Sequence, residues 1–332
     1  MRDGCAARYG HSTLGEAMSW RMLVAVAVTA GLVGGAAVAT AEPGRGGSKA
    51  AEKLFTLVPD PAGNPEGIAF DKRSKQFLVS ITADGAIYRG TLGSDTISPF
   101  IAGGAGRSAV GLEIRRGKLY VAGGSTGSIT VYDIASGQTL ATFQTGAGGF
   151  LNDLVVTGHG DVYVTDSFRQ TLWHVTAEQV SAGSGTPQAL DVSAIPYEGD
   201  FNVNGIVKRG SRTLVVVDSH SGKLFRIVLG EDGSSIDVID EVEGATVPNG
   251  DGMLLDRGRL VVVQGSGLDQ LSFLKLRAGA RRATLKRTQT SDKLRGPSTV
   301  DRARGLYLVV NADFATSTKP FTVAGLRRHP GH

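Results

Sequence analysis

The chain has 332 residues, 41% hydrophobic and 6% aromatic, with 35 Lys and Arg against 31 Asp and Glu. That length can bury a large core, and the near balance of charge argues against nucleic acid as the main partner. The one cysteine, Cys5, lies in a segment read below as removed, so the mature protein is expected to carry no disulfide and to rest on its core.

Residues 1–41 read as a secretory signal peptide. Arg21 precedes the apolar stretch Met22–Ala39, and the small residues Ala39-Thr40-Ala41 supply a cleavage site, which predicts export with cleavage after Ala41. The alternative is a membrane anchor, for which about 18 residues suffice. The stretch is rich in Gly and Ala, however, and lacks a stop-transfer pattern. The start itself could be Met1, Met18 or Met22. Cleavage leaves 291 residues with 32 basic against 29 acidic side chains, expected as a secreted monomer without membrane contact. Residues 42–51 (EPGRGGSKAA) predict a disordered leader, and residues 52–332 a single domain.

Leu54–Val58 (LFTLV) is the first predicted strand. After it come six units that begin at NPEGIAFD, SAVGLEI, FLNDLVV, FNVNGIV, PNGDGMLLD and RGPSTVD. Each start is followed by a turn and then by an apolar run: FLVS, LYVAG, VYVTDS, LVVVDS, LVVVQG or LYLVV. In the fourth unit, Phe201–Leu229, period-two alternation broken by Gly-bearing turns reads as short antiparallel strands. One such meander cannot bury its own faces. Aligned on the strand start, Glu66, Val110, Asn152, Asn204, Asp251 and Gly296 share a register, at spacings of 44, 42, 52, 47 and 45 residues. Six units of this length predict an all-β fold, a six-bladed β-propeller with a central channel. Its ring is expected to close by pairing the strand at 54–58 with a last strand at Phe321–Leu326. Ser181–Pro187 reads as an outer loop, and the basic stretch Arg277–Arg304 as a solvated edge of the fifth and sixth units rather than an anionic-surface patch.

In a propeller the register positions converge on one mouth of the channel. Four of the six carry Glu66, Asn152, Asn204 and Asp251. Two carboxylates confined together repel unless a cation lies between them, and an all-oxygen donor set suits calcium among divalent cations. No Cys/His cluster competes for zinc. The alternative is that these residues only cap strand starts, since Asn and Asp favour turns. His220, in Asp218-Ser219-His220, borders the same face and is a candidate catalytic or substrate-contacting group. The run lacks the motif of a hydrolytic triad.

PEGIAFD, FLND, NVNGI and PNGDGMLLD together resemble the regucalcin/gluconolactonase family of six-bladed propellers, over the whole mature chain. The resemblance implies that Glu66, Asn152, Asn204 and Asp251 hold a divalent cation and that Asp251 is the candidate base. It also keeps the family's Asn-Asp dipeptide as Asn152-Asp153. Where sugar-lactone members place an Arg, this chain has Phe150. With Phe201 it implies a less polar mouth, and Asn202 and Asp153 complete the candidate substrate contacts. The function expected is a metal-dependent hydrolase of a small lactone or ester. The alternatives are a non-enzymatic binding propeller with a structural cation and a strictosidine-synthase-like activity.

Overall fold

A computed structural model describes residues 51–328. The signal peptide expected at 1–41, the leader at 42–50 and residues 329–332 lie outside the described residues. The described chain is all-β apart from one short helix and one 3-10 turn.

Repeat 4 shows how the sequence produces the unit. Its strands Val203–Arg209, Thr213–Asp218, Leu224–Leu229 and Ile236–Glu241 pair antiparallel in succession. In the second strand Leu214 and Val216 pack with Leu190 and Val192 of repeat 3, while Val215 and Val217 pack with Leu260 and Val262 of repeat 5. Both faces are covered, which is why this strand is an unbroken β-branched run instead of an alternating one. Burial of each such side chain is worth about 1.5–3 kcal/mol.

The same arrangement recurs along the chain. Six apolar clusters form, each shared between neighbouring repeats, and one of them joins the last repeat to the first. The first strands are Pro65–Asp71, Leu112–Arg115, Leu151–Val156, Val203–Arg209, Gly250–Asp256 and Pro297–Ala303. Each lies against the first strand of the next repeat, and Pro297–Ala303 lies against Pro65–Asp71. The approach is close: a Cβ on Gly67 would sit 2.1 Å from the Val110 carbonyl, and one on Gly205 2.3 Å from that of Asp251.

The strand expected at 54–58 is Lys53–Leu57, and that expected at 321–326 is Thr322–Arg327. They pair antiparallel, from Lys53 opposite Gly325 to Thr56 opposite Thr322. The N-terminal strand also pairs parallel with Thr96–Ile101, which merges repeats 1 and 6 into one eight-stranded sheet.

Two expectations are corrected. The outer loop expected at Ser181–Pro187 starts at residue 183, because its first two residues close a helix, Ala177–Ala182, in which Thr176 and Gln179 form a reciprocal capping box and which Gly183 ends in a left-handed conformation. In repeat 6 the register position belongs to Ser298, not Gly296. Pro297 opposes Asn311 and Val300 opposes Val309, the same bulged pattern that places Glu66 after Pro65. Gly296 precedes the strand at a positive φ of 49°, in a turn against Asp313.

Candidate active site

Five of the first strands carry a β-bulge near their start, and the residue after the opening pair is Glu66, Asn152, Asn204, Asp251 or Ser298. A bulge re-aims a side chain and ends regular pairing, so the four predicted ligands share one structural position and not only one sequence register. Glu66, Asn152 and Asn204 are buried, and Asp251 is half-buried. The amide of Asn204 hydrogen-bonds the Asp251 carboxylate. Glu66 Oε1 accepts from the Thr299 hydroxyl at 3.2 Å, and the Ser298 hydroxyl donates to the Glu66 backbone carbonyl at 2.7 Å. Asn152 Nδ2 donates to Ser167 Oγ at 2.9 Å, which in turn donates to the Val203 carbonyl.

Negative charge is concentrated here, and among the described residues no Lys, Arg or His pairs with Glu66, Asp153 or Asp251. Burial raises Glu66 well above the usual carboxylate range, and the nearby Asp251 and Asp153 raise it further against the Thr299 hydrogen bond. Asp251 is pushed up to about 7, chiefly by burial, with the Asn204 bond opposing and the Asp153 charge adding to the shift. Two more half-buried carboxylates lie farther along the first strands. Burial takes Glu113 to about 8 and Asp301 to about 6.

Asp153 was expected to touch substrate, but its oxygens serve the scaffold. Oδ1 accepts from its own strand at Leu154 N, and Oδ2 from Ile206 N of the next repeat. Glu113 accepts Val156 N and Asp301 accepts Phe70 N in the same manner, so three carboxylates tie neighbouring first strands together. Asn202 is likewise committed. Its Oδ1 accepts from Glu198 N and Gly199 N, while Nδ2 donates to the carbonyls of Ser167 and Gly199, clasping the loop before repeat 4. With two bonds accepted and two donated, the Asn202 amide has little left to offer a ligand, whereas each Asp153 oxygen carries one backbone bond.

Phe150 and Phe201 do meet, with ring centroids 5.1 Å apart, and a third ring completes the wall: Phe168 lies 5.4 Å from Phe150 and 5.0 Å from Phe201. Phe168 was missed, although repeats 3 and 4 align as DSFRQTLW and DSHSGKLF, which puts it at the position of His220. The wall is held by Asp166, fully buried at the end of its strand. Its Oδ1 accepts from the backbone N–H of Phe150, Phe168 and Arg169, and its Oδ2 from Arg169 Nε at 2.7 Å and Trp173 Nε1 at 3.1 Å.

His220 is exposed on the turn after Asp218, with its ring against Gly199. The Asp218 carboxylate accepts from Ser221, and no triad forms. The ring of His220 thus packs on the loop that precedes repeat 4.

Among the described residues no group of three or more His, Cys, Asp and Glu side chains could hold a metal ion, so a cation here would depend on the amide oxygens as well as the two carboxylates. The donor set fits that demand in two respects. Glu66 Oε2 and Asn204 Oδ1 are buried oxygens without a hydrogen-bond partner, which is costly unless a ligand satisfies them. The crowding of Glu66, Asp251 and Asp153 also favours a positive charge between them.

No protein-family model and no curated protein matches the chain. Solved structures do. The luciferin-regenerating enzyme superposes with a TM-score of 0.60 at 11% identity, over 83% of this chain and 95% of that one. A gluconolactonase of Xanthomonas campestris gives 0.59 at 16% identity, over 83% and 90%. The virginiamycin B lyase of Staphylococcus aureus gives 0.57 at 12% identity, over 84% and 99%. Likeness at these identities is likeness of fold. The chain is an all-β, propeller-like protein whose structural neighbours include the luciferin-regenerating enzyme and a gluconolactonase, the fold that its sequence resemblance implies.

Proposed function

We propose that the protein is a secreted, metal-dependent hydrolase of the lactonase/esterase type, built by residues 52–332 as a six-bladed β-propeller and acting as a monomer on a small molecule. The six clusters shared between neighbouring repeats support the ring, because the last of them packs repeat 6 on repeat 1. Glu66, Asn152, Asn204 and Asp251 would hold one divalent cation, and an all-oxygen set suits calcium. Such a cation, when bound, polarises a carbonyl and offsets charge developing on its oxygen.

The chain's own groups do the rest. The Asp251 carboxylate takes a proton from the attacking water, and the Asn204 amide fixes that carboxylate through their hydrogen bond. Phe150, Phe168 and Phe201 seat the apolar part of the substrate and limit the access of water. With an aromatic wall in place of the family's arginine, an apolar ester or lactone fits better than a sugar acid lactone.

The observation that carries this reading is the pair of buried, unpartnered oxygens, Glu66 Oε2 and Asn204 Oδ1, beside Asp251. Elemental analysis of the purified protein, followed by an ester and lactone panel with and without chelator, tests it. One equivalent of cation and chelator-sensitive turnover is the expected result. Cation without turnover would make the protein a binding module. Hydrolysis indifferent to chelator would remove the cation from the chemistry.

A further inference from the structure

The opposite end of the first strands carries a different chemistry. The turn to the second strand contains Arg116-Gly117 in repeat 2, Arg257-Gly258 in repeat 5 and Arg304-Gly305 in repeat 6, while repeat 1 has Lys72 to Lys75 there. Lys75, Arg116, Arg257 and Arg304 all adopt positive φ, between 50° and 61°. Gly or Asn meets that backbone with the least strain, and hairpin turns select them for it. Four such positions occupied by Lys or Arg mean that cations stand on one rim despite the backbone preference.

At repeats 1, 5 and 6 these turns enclose a concavity of about 330 Å³. Lys72, Lys75, Arg257, Arg302, Arg304 and Arg328 line it, with Phe70 the remaining lining residue. Asp256 fixes two of the six: its Oδ1 lies 2.6 Å from Arg302 Nη1 and its Oδ2 2.7 Å from Arg328 Nη2, with the Tyr307 hydroxyl donating to Oδ2 at 3.0 Å. Lys72, Lys75, Arg257 and Arg304 have no carboxylate within ion-pair distance among the described residues, so cationic charge remains in excess.

We propose that this concavity binds a phosphate-bearing anion, either a small phosphate compound or the headgroup of an anionic phospholipid. Several cations converging from three turns match a tetrahedral group with several charged oxygens better than a lone carboxylate. Arg302 and Arg328, already held by Asp256, need little further ordering to contact it.

The test uses the triple variant Lys75→Asn, Arg257→Asn, Arg304→Asn, because Asn tolerates the left-handed backbone and the fold should be kept. Lys72→Ala, at an ordinary backbone position, is the second variant. Inorganic pyrophosphate is titrated by calorimetry, and vesicles of phosphatidylcholine with and without phosphatidylglycerol are tested by sedimentation. Pyrophosphate binding that falls at least about tenfold in the triple variant, less in Lys72→Ala, and weakens with added salt supports the site and assigns a free phosphate compound. Vesicle binding that requires phosphatidylglycerol and is lost in the triple variant, without pyrophosphate binding, supports the site and assigns a headgroup. Binding of neither probe, or binding that both variants retain, overturns the proposal.

Discussion

At one end of the first strands Glu66, Asp251 and Asp153 crowd together with no cationic side chain among them, and burial holds their proton affinities high. At the other end Lys75, Arg257 and Arg304 stand exposed on tight turns, and Asp256 neutralises only their neighbours Arg302 and Arg328. Both ends concentrate one sign of charge, but by different means. The carboxylates are enclosed by packed strands, so their repulsion is relieved by protons or by a bound cation. The arginines reach water, so their repulsion is screened and an anion adds to an already solvated surface.

The sharpest way to break this comparison is Asp251→Asn. If the enclosed end is a hydrolytic centre, the variant keeps an oxygen donor but loses its base. Turnover is expected to fall by about 10²–10⁴-fold with cation content retained. Steady-state kinetics alongside elemental analysis would show it, and unchanged turnover would remove Asp251 from the chemistry.

A matched pair of substitutions compares the two ends directly. Asp166→Ala strips the aromatic wall of a buried carboxylate bonded to three backbone N–H groups, Arg169 and Trp173, and should cost about 3–5 kcal/mol in urea unfolding. Asp256→Ala frees arginines that are partly exposed, and should cost about 1–2 kcal/mol. Equal losses would show that solvent access does not distinguish the ends.

Proton linkage tests the buried carboxylates that lie farther along the first strands. Glu113 is raised from 4.5 to about 8, so folding takes up a proton there. Its contribution to stability is fully present below about pH 4.5 and is lost as the pH rises through about 8. Glu113→Gln keeps an acceptor for Val156 N and removes the charge, so the fall in stability across that window should flatten. Melting curves between those limits decide it, and an unchanged slope would mean that other groups carry the linkage. A smaller effect of the same origin is expected at the ligand set. With Asp251 near 7 and burial holding Glu66 well above the usual carboxylate range, cation binding should release protons and tighten as the pH rises through neutrality, measured by calorimetry in buffers of different ionisation heat.

Much was legible in the chain itself. Strand alternation is a local, period-two property, and six recurrences of it disclosed the repeats, the terminal strands and the shared position of Glu66, Asn152, Asn204 and Asp251. The unbroken run LVVVD already reported a strand covered on both faces. What only the tertiary structure decided depends on contacts between repeats. The bulges moved the sixth register position from Gly296 to Ser298. Neighbouring backbone hydrogen-bonds Asn202 and Asp153, which the family resemblance offered as substrate contacts. Asp166 became the hub of an aromatic wall, and Lys75, Arg257 and Arg304 came to share one concavity although they are 182 and 47 residues apart. Period and register propagate along a strand, but burial, charge crowding and hydrogen-bond saturation arise only where separate strands meet.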